Sequence, residues 1–424
     1  MRPSRPSATA GPPWWERVGQ PRQASRRGYV FFVAVSGSLA ALQLLVLPRA
    51  LDRAEFAVVV LAVSVTQGLL AIGDLGLGLF ASDTTRRQGT RRELRALVLA
   101  VAVSLSTLVA GVFALVAAVD RDVEGVLWSS LCIGALTALV LWPRAVRSLA
   151  STAAGDEVGT LHNNLLWQNA PKLGMVLLAV TTRSPLAALL AGLLGSVLAG
   201  RLVSPTRIPL VVSTRPPLGK WSVALGFKVT SFGLIWADSY VIAAVAGLEQ
   251  AGQYQVVART LTAVTYLYLP LLALAEAAFN AGNRRRWLRT VLLAGAVTGA
   301  IDGLMVLLLL RLAPRIWPSY EISPQVAWLL AGASFVAFVS AAAGTLLLIT
   351  GRRTSVLCAN IAGLTVMVAL ATALVPRFGA SGAATGSLFG YGVAAAVQLS
   401  VIFAVARRDP GLFRSTDLLV GRAT

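Results

Sequence analysis

Charge is scarce in this chain. Asp, Glu, Lys and Arg make up 13% of its 424 residues, about half the share of about 25% usual in a soluble domain. So few charged groups cannot solvate the surface of a globular protein of this length, which excludes an ordinary soluble enzyme. Histidine occurs once, at His162, and cysteine only at Cys132 and Cys358. Neither a disulfide framework nor a soft-donor metal centre can be drawn from such a set, and both cysteines fall within apolar runs. No glycine-rich phosphate loop of the GxxxxGK[ST] kind occurs, so direct ATP hydrolysis is excluded. The expectation is a protein without cofactor or metal, and not an enzyme.

Apolar sequence is abundant. Hydrophobic residues reach 56% and the mean hydropathy is +0.73. A helix needs about 20 apolar residues to cross the hydrocarbon core of a bilayer. Windows of that length lie near 28–48, 56–80, 96–119, 126–142, 160–181, 186–204, 223–247, 254–279, 290–311, 326–350, 354–375 and 380–406. The expected fold class is all-α: a polytopic membrane protein of about twelve transmembrane helices.

The net charge of +19 does not point to nucleic acid, because its placement follows membrane topology. With the N-terminus in the cytoplasm, alternate loops become internal. The external loops then hold only Arg49, Arg53, Arg121, Arg183, Arg311, Arg315 and Arg377 of the 37 Lys and Arg. Lys172, Lys228 and Arg259 lie within spans, and the rest are internal. This asymmetry predicts a multi-pass protein of the cytoplasmic membrane with both termini cytoplasmic. The basic internal loops should rest against anionic lipid headgroups.

The Pro-, Ser- and Arg-rich segment 1–27 reads as a disordered basic cytoplasmic tail. The stretch 205–222, with Pro205, Pro209, Pro216 and Pro217, reads as a cytoplasmic linker dividing the chain into two sets of six spans. The expected organisation is an N-terminal six-helix bundle at 28–204, a C-terminal one at 223–406 and a cytoplasmic tail at 407–424. Two such bundles around a central cavity suit a rocking transporter. Gly295, Gly299 and Gly303, and again Gly382, Gly386 and Gly390, recur every fourth residue, the spacing that lets membrane helices approach backbone to backbone.

The segment "LDRAEFAVVVLAVSVTQGLLAIGDLGLG", beginning at Leu51, resembles the opening helix pair of the polysaccharide-export flippases, O-antigen-translocase-like members of the multidrug/oligosaccharidyl-lipid/polysaccharide exporter superfamily. Glu55, Phe56 and Asp74-Leu75-Gly76 carry the likeness, while Ala57 and Val59 stand where that family usually has Gly and Tyr. In the second half, Asp238, then Gly247, Glu249, Gly252 and Tyr254, and "PRFGASGAA" from Pro376, resemble the family again. The resemblance implies translocation of a polyprenyl-diphosphate-linked oligosaccharide for cell-surface polysaccharide synthesis. It also raises polysaccharide-assembly proteins as partners.

Charges at membrane depth are costly and serve as the first site candidates. Lys172, next to Pro171 near the middle of the fifth span, is the leading cavity cation, followed by Arg259 and Asp238. At 1.5 Å per residue, Arg259 and Asp238 lie roughly 8 and 13 Å below the outer ends of adjacent helices, so the two are expected to pair. Lys228 and Glu276 are expected to form a structural ion pair near the inner ends of the same helices. Asp74, among three glycines, and Asp302 are candidates for gating or cation coupling, the role they would take in a cation-coupled multidrug exporter. An integral membrane glycosyltransferase or polymerase is the third alternative. Its support is the carboxylate pair Asp120 and Asp122, and the short external loops weigh against it.

Overall fold

In hydrocarbon a backbone can satisfy its own hydrogen bonds only as a helix or a closed barrel. That rule overrides local preference: Val58, Val59 and Val60, which would favour a strand in water, lie in the middle of a helix. The computed structural model describes residues 26–73, 105–114, 123–153, 157–202, 218–260 and 284–408, together with 102 and 264. Among them the regular elements are helices: α1 (Arg26–Ala50), α2 (Arg53–Gly73), α3 (Leu105–Ala114), α4 (Val123–Ala153), α5 (Glu157–Thr182) and α6 (Pro185–Leu202). The second half continues with α7 (Leu218–Ala246), α8 (Leu248–Ala258), α9 (Arg284–Ile316), α10 (Pro324–Ile349), α11 (Arg353–Phe378) and α12 (Ala380–Arg408).

Each helix overlaps one of the twelve apolar windows, in order, and the protein is an all-α polytopic membrane protein. Eight of the described helices are long and apolar enough to cross a bilayer. α5, with His162, Asn163, Asn164, Gln168, Asn169 and Lys172 along its length, is not one of them. Several helices outrun their windows, because backbone hydrogen bonding continues after the apolar residues stop. α9 extends from Arg284 to Ile316, and α4 passes through Pro143 to Ala153. α7 starts at Leu218, inside the stretch assigned to the linker, while residues 203–217 lie outside the described residues.

In the first half α1 packs on α5, α2 on α4, α4 on α5 and α6, and α5 on α6. In the second, α9 packs on α10, α10 on α12, and α11 on both α7 and α12. The glycine stripes do bring backbones together. A Cβ at Gly299 would lie 2.8 Å from Phe335 Cα of α10, and one at Gly390 would lie 2.9 Å from the Gly363 carbonyl of α11. Large apolar side chains, among them Leu177, Leu194, Leu293, Leu304 and Phe403, stay exposed on the outer faces, where a bilayer would cover them.

Candidate functional site: an interlobe seam and the buried carboxylates behind it

The two halves meet through α2, which lies against α7 and α8. The seam starts at the turn between α1 and α2. Asp52 Oδ1 accepts the Glu55 backbone N–H at 2.8 Å, and Glu55 Oε2 accepts the Asp52 N–H at 3.1 Å. These reciprocal bonds form a capping box, which fixes where α2 begins. Next along, the Arg53 guanidinium donates to the Ser319 carbonyl of the α9–α10 link. Tyr320 donates its hydroxyl to the Asp52 carbonyl at 3.3 Å and meets Phe56 edge to face, with ring centres 6.3 Å apart. Trp317, fully buried, donates its indole N–H to the Leu45 carbonyl of α1 at 3.0 Å.

Tyr320 lies in the link, outside the spans. Burial, followed by the nearby Asp52 carboxylate, pushes its hydroxyl above the usual tyrosine range. It therefore stays a donor through neutral and mildly alkaline pH. Gly252 of α8 is pressed against the Arg53 carbonyl with no room for a Cβ. α8 can begin so close because Gly247 takes φ 88, the left-handed region open to glycine, and so folds α7 sharply into α8.

Further in, Ser64 Oγ of α2 and Tyr240 OH of α7 lie 2.6 Å apart, and Phe232 of α7 packs over Gly68 of α2. An apolar cluster with members from both halves, including Leu47, Phe56, Val59, Trp236, Val256 and Trp317, fills the seam. The α1–α2, α7–α8 and α9–α10 links thus converge at one end of the molecule. Gln250 beside Gly379 adds the α11–α12 link to them.

Behind the seam lies Asp238. The α7–α8 turn sets it opposite Tyr254: from Gly247, Asp238 lies roughly 13 Å and Tyr254 roughly 10 Å along its own helix. Asp238 Oδ1 accepts the Ser239 N–H at 2.6 Å and the Ser239 hydroxyl at 2.9 Å. Its Oδ2 accepts from Tyr254 and, at 2.8 Å, from Ser387 of α12. Arg259 donates to Gln255 Oε1 at 2.6 Å and to Ser239 Oγ at 3.1 Å, with its guanidinium 3.8 Å above the Trp236 ring. The expected direct contact between Asp238 and Arg259 is therefore not made. Ser239 bridges them, because the α7–α8 hairpin aims the arginine at Trp236 and Gln255. The carboxylate is instead saturated by hydroxyl and amide donors. Removing one partner of such a buried network costs about 3–5 kcal/mol. Asp238→Ala is expected to lower the thermal midpoint of the detergent-solubilised protein markedly, and Asp238→Asn less; equal midpoints for Asp238→Ala and wild type would refute this role.

Lys172 is buried on α5 beside Pro171, whose carbonyl faces Gly192 of α6. Lys228 is half-buried on α7, but Glu276, its expected partner, lies outside the described residues, as does Asp74. Asp302 is fully buried in α9. Sequence reasoning places Arg144 in an internal loop. The structure puts it inside α4, 2% exposed, donating to the Ala199 carbonyl of α6. Pro143 suggests that the span ends there, so only the continuation of the helix reveals a buried cation besides Lys172.

No protein-family model matches the chain, and neither does any curated protein sequence. The fold has clear counterparts among solved structures. A lipid II flippase, MurJ, in an inward closed conformation superposes with a TM-score of 0.62 at 11% identity, over 88% of this chain and 87% of the other. An inward-facing multidrug resistance MATE transporter of the MOP superfamily gives 0.53 at 15% identity, over 92% and 100%. The MATE multidrug transporter DinF-BH, solved as a complex, gives 0.53 at 13% identity, over 93% and 99%. The chain thus shares its fold with these transporter structures, whereas the O-antigen-translocase-like assignment is a matter for proposal.

Proposed function

We propose that the chain is a transporter that turns a polyprenyl-diphosphate-linked oligosaccharide across the cytoplasmic membrane for cell-surface polysaccharide synthesis. The seam carries this reading. Two helical halves touch along α2 and α7–α8, latched where four interhelical links converge. That is the geometry of a closed gate at one end of a two-lobed transporter. Rocking the halves apart there, and together at the other end, would expose a central cavity to each side in turn. The charge bias sets both termini in the cytoplasm and so makes the latched end the outer one.

The class of cargo rests on the sequence resemblance and on buried cations. A diphosphate leaving water needs positive charge in the cavity wall, and Lys172 and Arg259 are the side chains proposed to supply it. Asp238 holds Arg259 in place through Ser239. Anionic headgroups along the basic inner loops, and polysaccharide-assembly proteins at the membrane face, are the proposed partners. The role is transport, without a chemical step. Drug export is the second reading, favoured by the full-length likeness to MATE transporters.

Reconstitution tests the proposal. Proteoliposomes holding the full chain are expected to move a lipid-linked oligosaccharide from the inner to the outer leaflet, read by its accessibility to an added glycosidase. Movement no faster than in protein-free vesicles would sink the reading.

A further inference from the structure

A buried hydrogen-bond donor without an acceptor stands on α8. Gln255 is 0% exposed. Its Oε1 accepts the Arg259 Nε–H at 2.6 Å, but among the described residues its Nε2 has no hydrogen-bond partner. The amide cannot turn over to relieve this. A guanidinium only donates, so Arg259 requires the oxygen of Gln255 and leaves the nitrogen on the other side. Orphaned buried donors are destabilising and rare in folded proteins.

Its position shows what covers it. Gly252, Gln255, Val256 and Arg259 follow the i, i+3, i+4, i+7 spacing of one helix face. Gly252 is pressed against the Arg53 carbonyl of α2, and Val256 belongs to the apolar cluster with Phe56, Val59 and Val60 of α2. On α7, Phe232 packs over Gly68 of α2 and Tyr240 lies beside Ser64, with Trp236 between them on the same face. The Arg259 guanidinium rests on the Trp236 ring. Gln255 therefore lies on the face that α2 covers, and what α2 sets against that face is mainly apolar. Ser64 is committed to the Leu61 carbonyl and to Tyr240, and Thr66 to the carbonyls of Ala62 and Gly134. Parting of the halves uncovers the Gln255 N–H together with Arg259. Bonds to Gln255 and Ser239 occupy two of the five N–H groups of that guanidinium, and the side chain is only half-buried as it stands. Asp238, the carboxylate behind the cluster, is engaged by its own donors and separated from Arg259 by Ser239.

Building on the transporter reading, we propose that Gln255 is a binding residue for the anionic headgroup of the cargo. Once the halves part, its amide N–H and the remaining N–H groups of Arg259 donate to the phosphate oxygens of one headgroup. Phosphate oxygens accept and every group offered here donates, so the two surfaces match in kind as well as in charge. Arg259 supplies the charge, while Gln255 holds it in place and adds a directed bond of its own. Both donors are shut under α2 while the seam is closed, so a bound phosphate favours the parted state. A cationic drug would meet donors and a positive charge, and the same pair disfavours it. No covalent bond is made or broken.

Titration calorimetry on the detergent-solubilised full chain tests this, with geranylgeranyl diphosphate as the probe and inorganic diphosphate as a competitor without a lipid tail. Two variants separate binding from packing. Gln255→Glu keeps an acceptor for Arg259 but sets a carboxylate oxygen where the N–H was, whereas Gln255→Leu removes both. Leucine suits the apolar wall of α2, so that variant is expected to fold. Gln255→Glu is expected to hold a thermal midpoint at or above that of Gln255→Leu. Its affinity for the probe is nevertheless expected to fall about a hundred-fold or more below wild type, and that of Gln255→Leu about ten-fold. Inorganic diphosphate is expected to displace the probe from wild type. A probe that it cannot displace is held by its tail alone, which overturns the proposal. Equal affinity in wild type and Gln255→Glu overturns it too, as does an affinity that merely follows the thermal midpoint. Variants that bind in the expected order, in a chain that moves no lipid-linked oligosaccharide in proteoliposomes, leave the phosphate site standing and sink the translocation reading. Transport at one rate by all three forms overturns the role of Gln255 and leaves that reading intact.

Discussion

Tying Asp52→Cys on the α1–α2 link to Ser319→Cys on the α9–α10 link with a short cleavable cross-linker is expected to stop transport, and cleavage to restore it. Both positions are exposed, and they neighbour the Arg53-to-Ser319 and Tyr320-to-Asp52 bonds that close the seam. The native cysteines, Cys132 and Cys358, are first replaced by alanine. Asp52→Cys also removes the cap of α2, at a cost of about 1 kcal/mol, so the unlinked double variant is the reference. The seam joins the halves through a few hydrogen bonds, aromatic contacts and the close approach of Gly252, each modest and reversible on a transport timescale. A covalent tie adds a constraint that thermal motion cannot break. Flipping at the reference rate with the linker in place would show that the halves do not part at this end.

Lys172→Ala is expected to reproduce loss of the whole protein, with normal amounts of chain reaching the membrane. Lys172 lies at depth beside Pro171 of α5, in the half opposite the Asp238–Arg259 cluster. A cation there would answer a diphosphate drawn into the cavity. Removing it leaves a desolvated anion uncompensated, a penalty of several kcal/mol, or about a hundred-fold or more in rate. Lys172→Arg, which keeps the charge, is expected to retain much of the activity. Arg259→Ala is expected to be less clean, because it also strips a donor from Ser239 and a cation from the face of Trp236. If cells carrying Lys172→Ala keep wild-type levels of lipid-linked oligosaccharide, Lys172 does not touch the cargo.

The order of the helices was legible because hydropathy reports burial in lipid directly. Depth was legible for the same reason. Asp238 and Tyr254 flank the α7–α8 turn at similar distances, and they do meet. What depth does not give is the direction in which a side chain leaves its helix. Asp238 and Arg259 lie within about 5 Å of each other in depth, yet Ser239 stands between them. Arg144 escapes notice for a related reason. A proline followed by an arginine usually marks the end of a span, but here the helix continues and α6 supplies a carbonyl for the charge. The segment around Glu55 and Phe56 draws attention by resemblance alone. The structure gives it a physical reason, since the capping box and the Phe56–Tyr320 contact set the edge of the seam.

Lipid-linked oligosaccharide extracted from cells that lack this chain tests the assignment most directly. Accumulation of that lipid on the inner face, with unchanged resistance to cationic drugs, and its clearance when the wild-type chain is restored, is the expected result. An unchanged level of lipid-linked oligosaccharide, together with altered drug resistance, would contradict it and favour drug export.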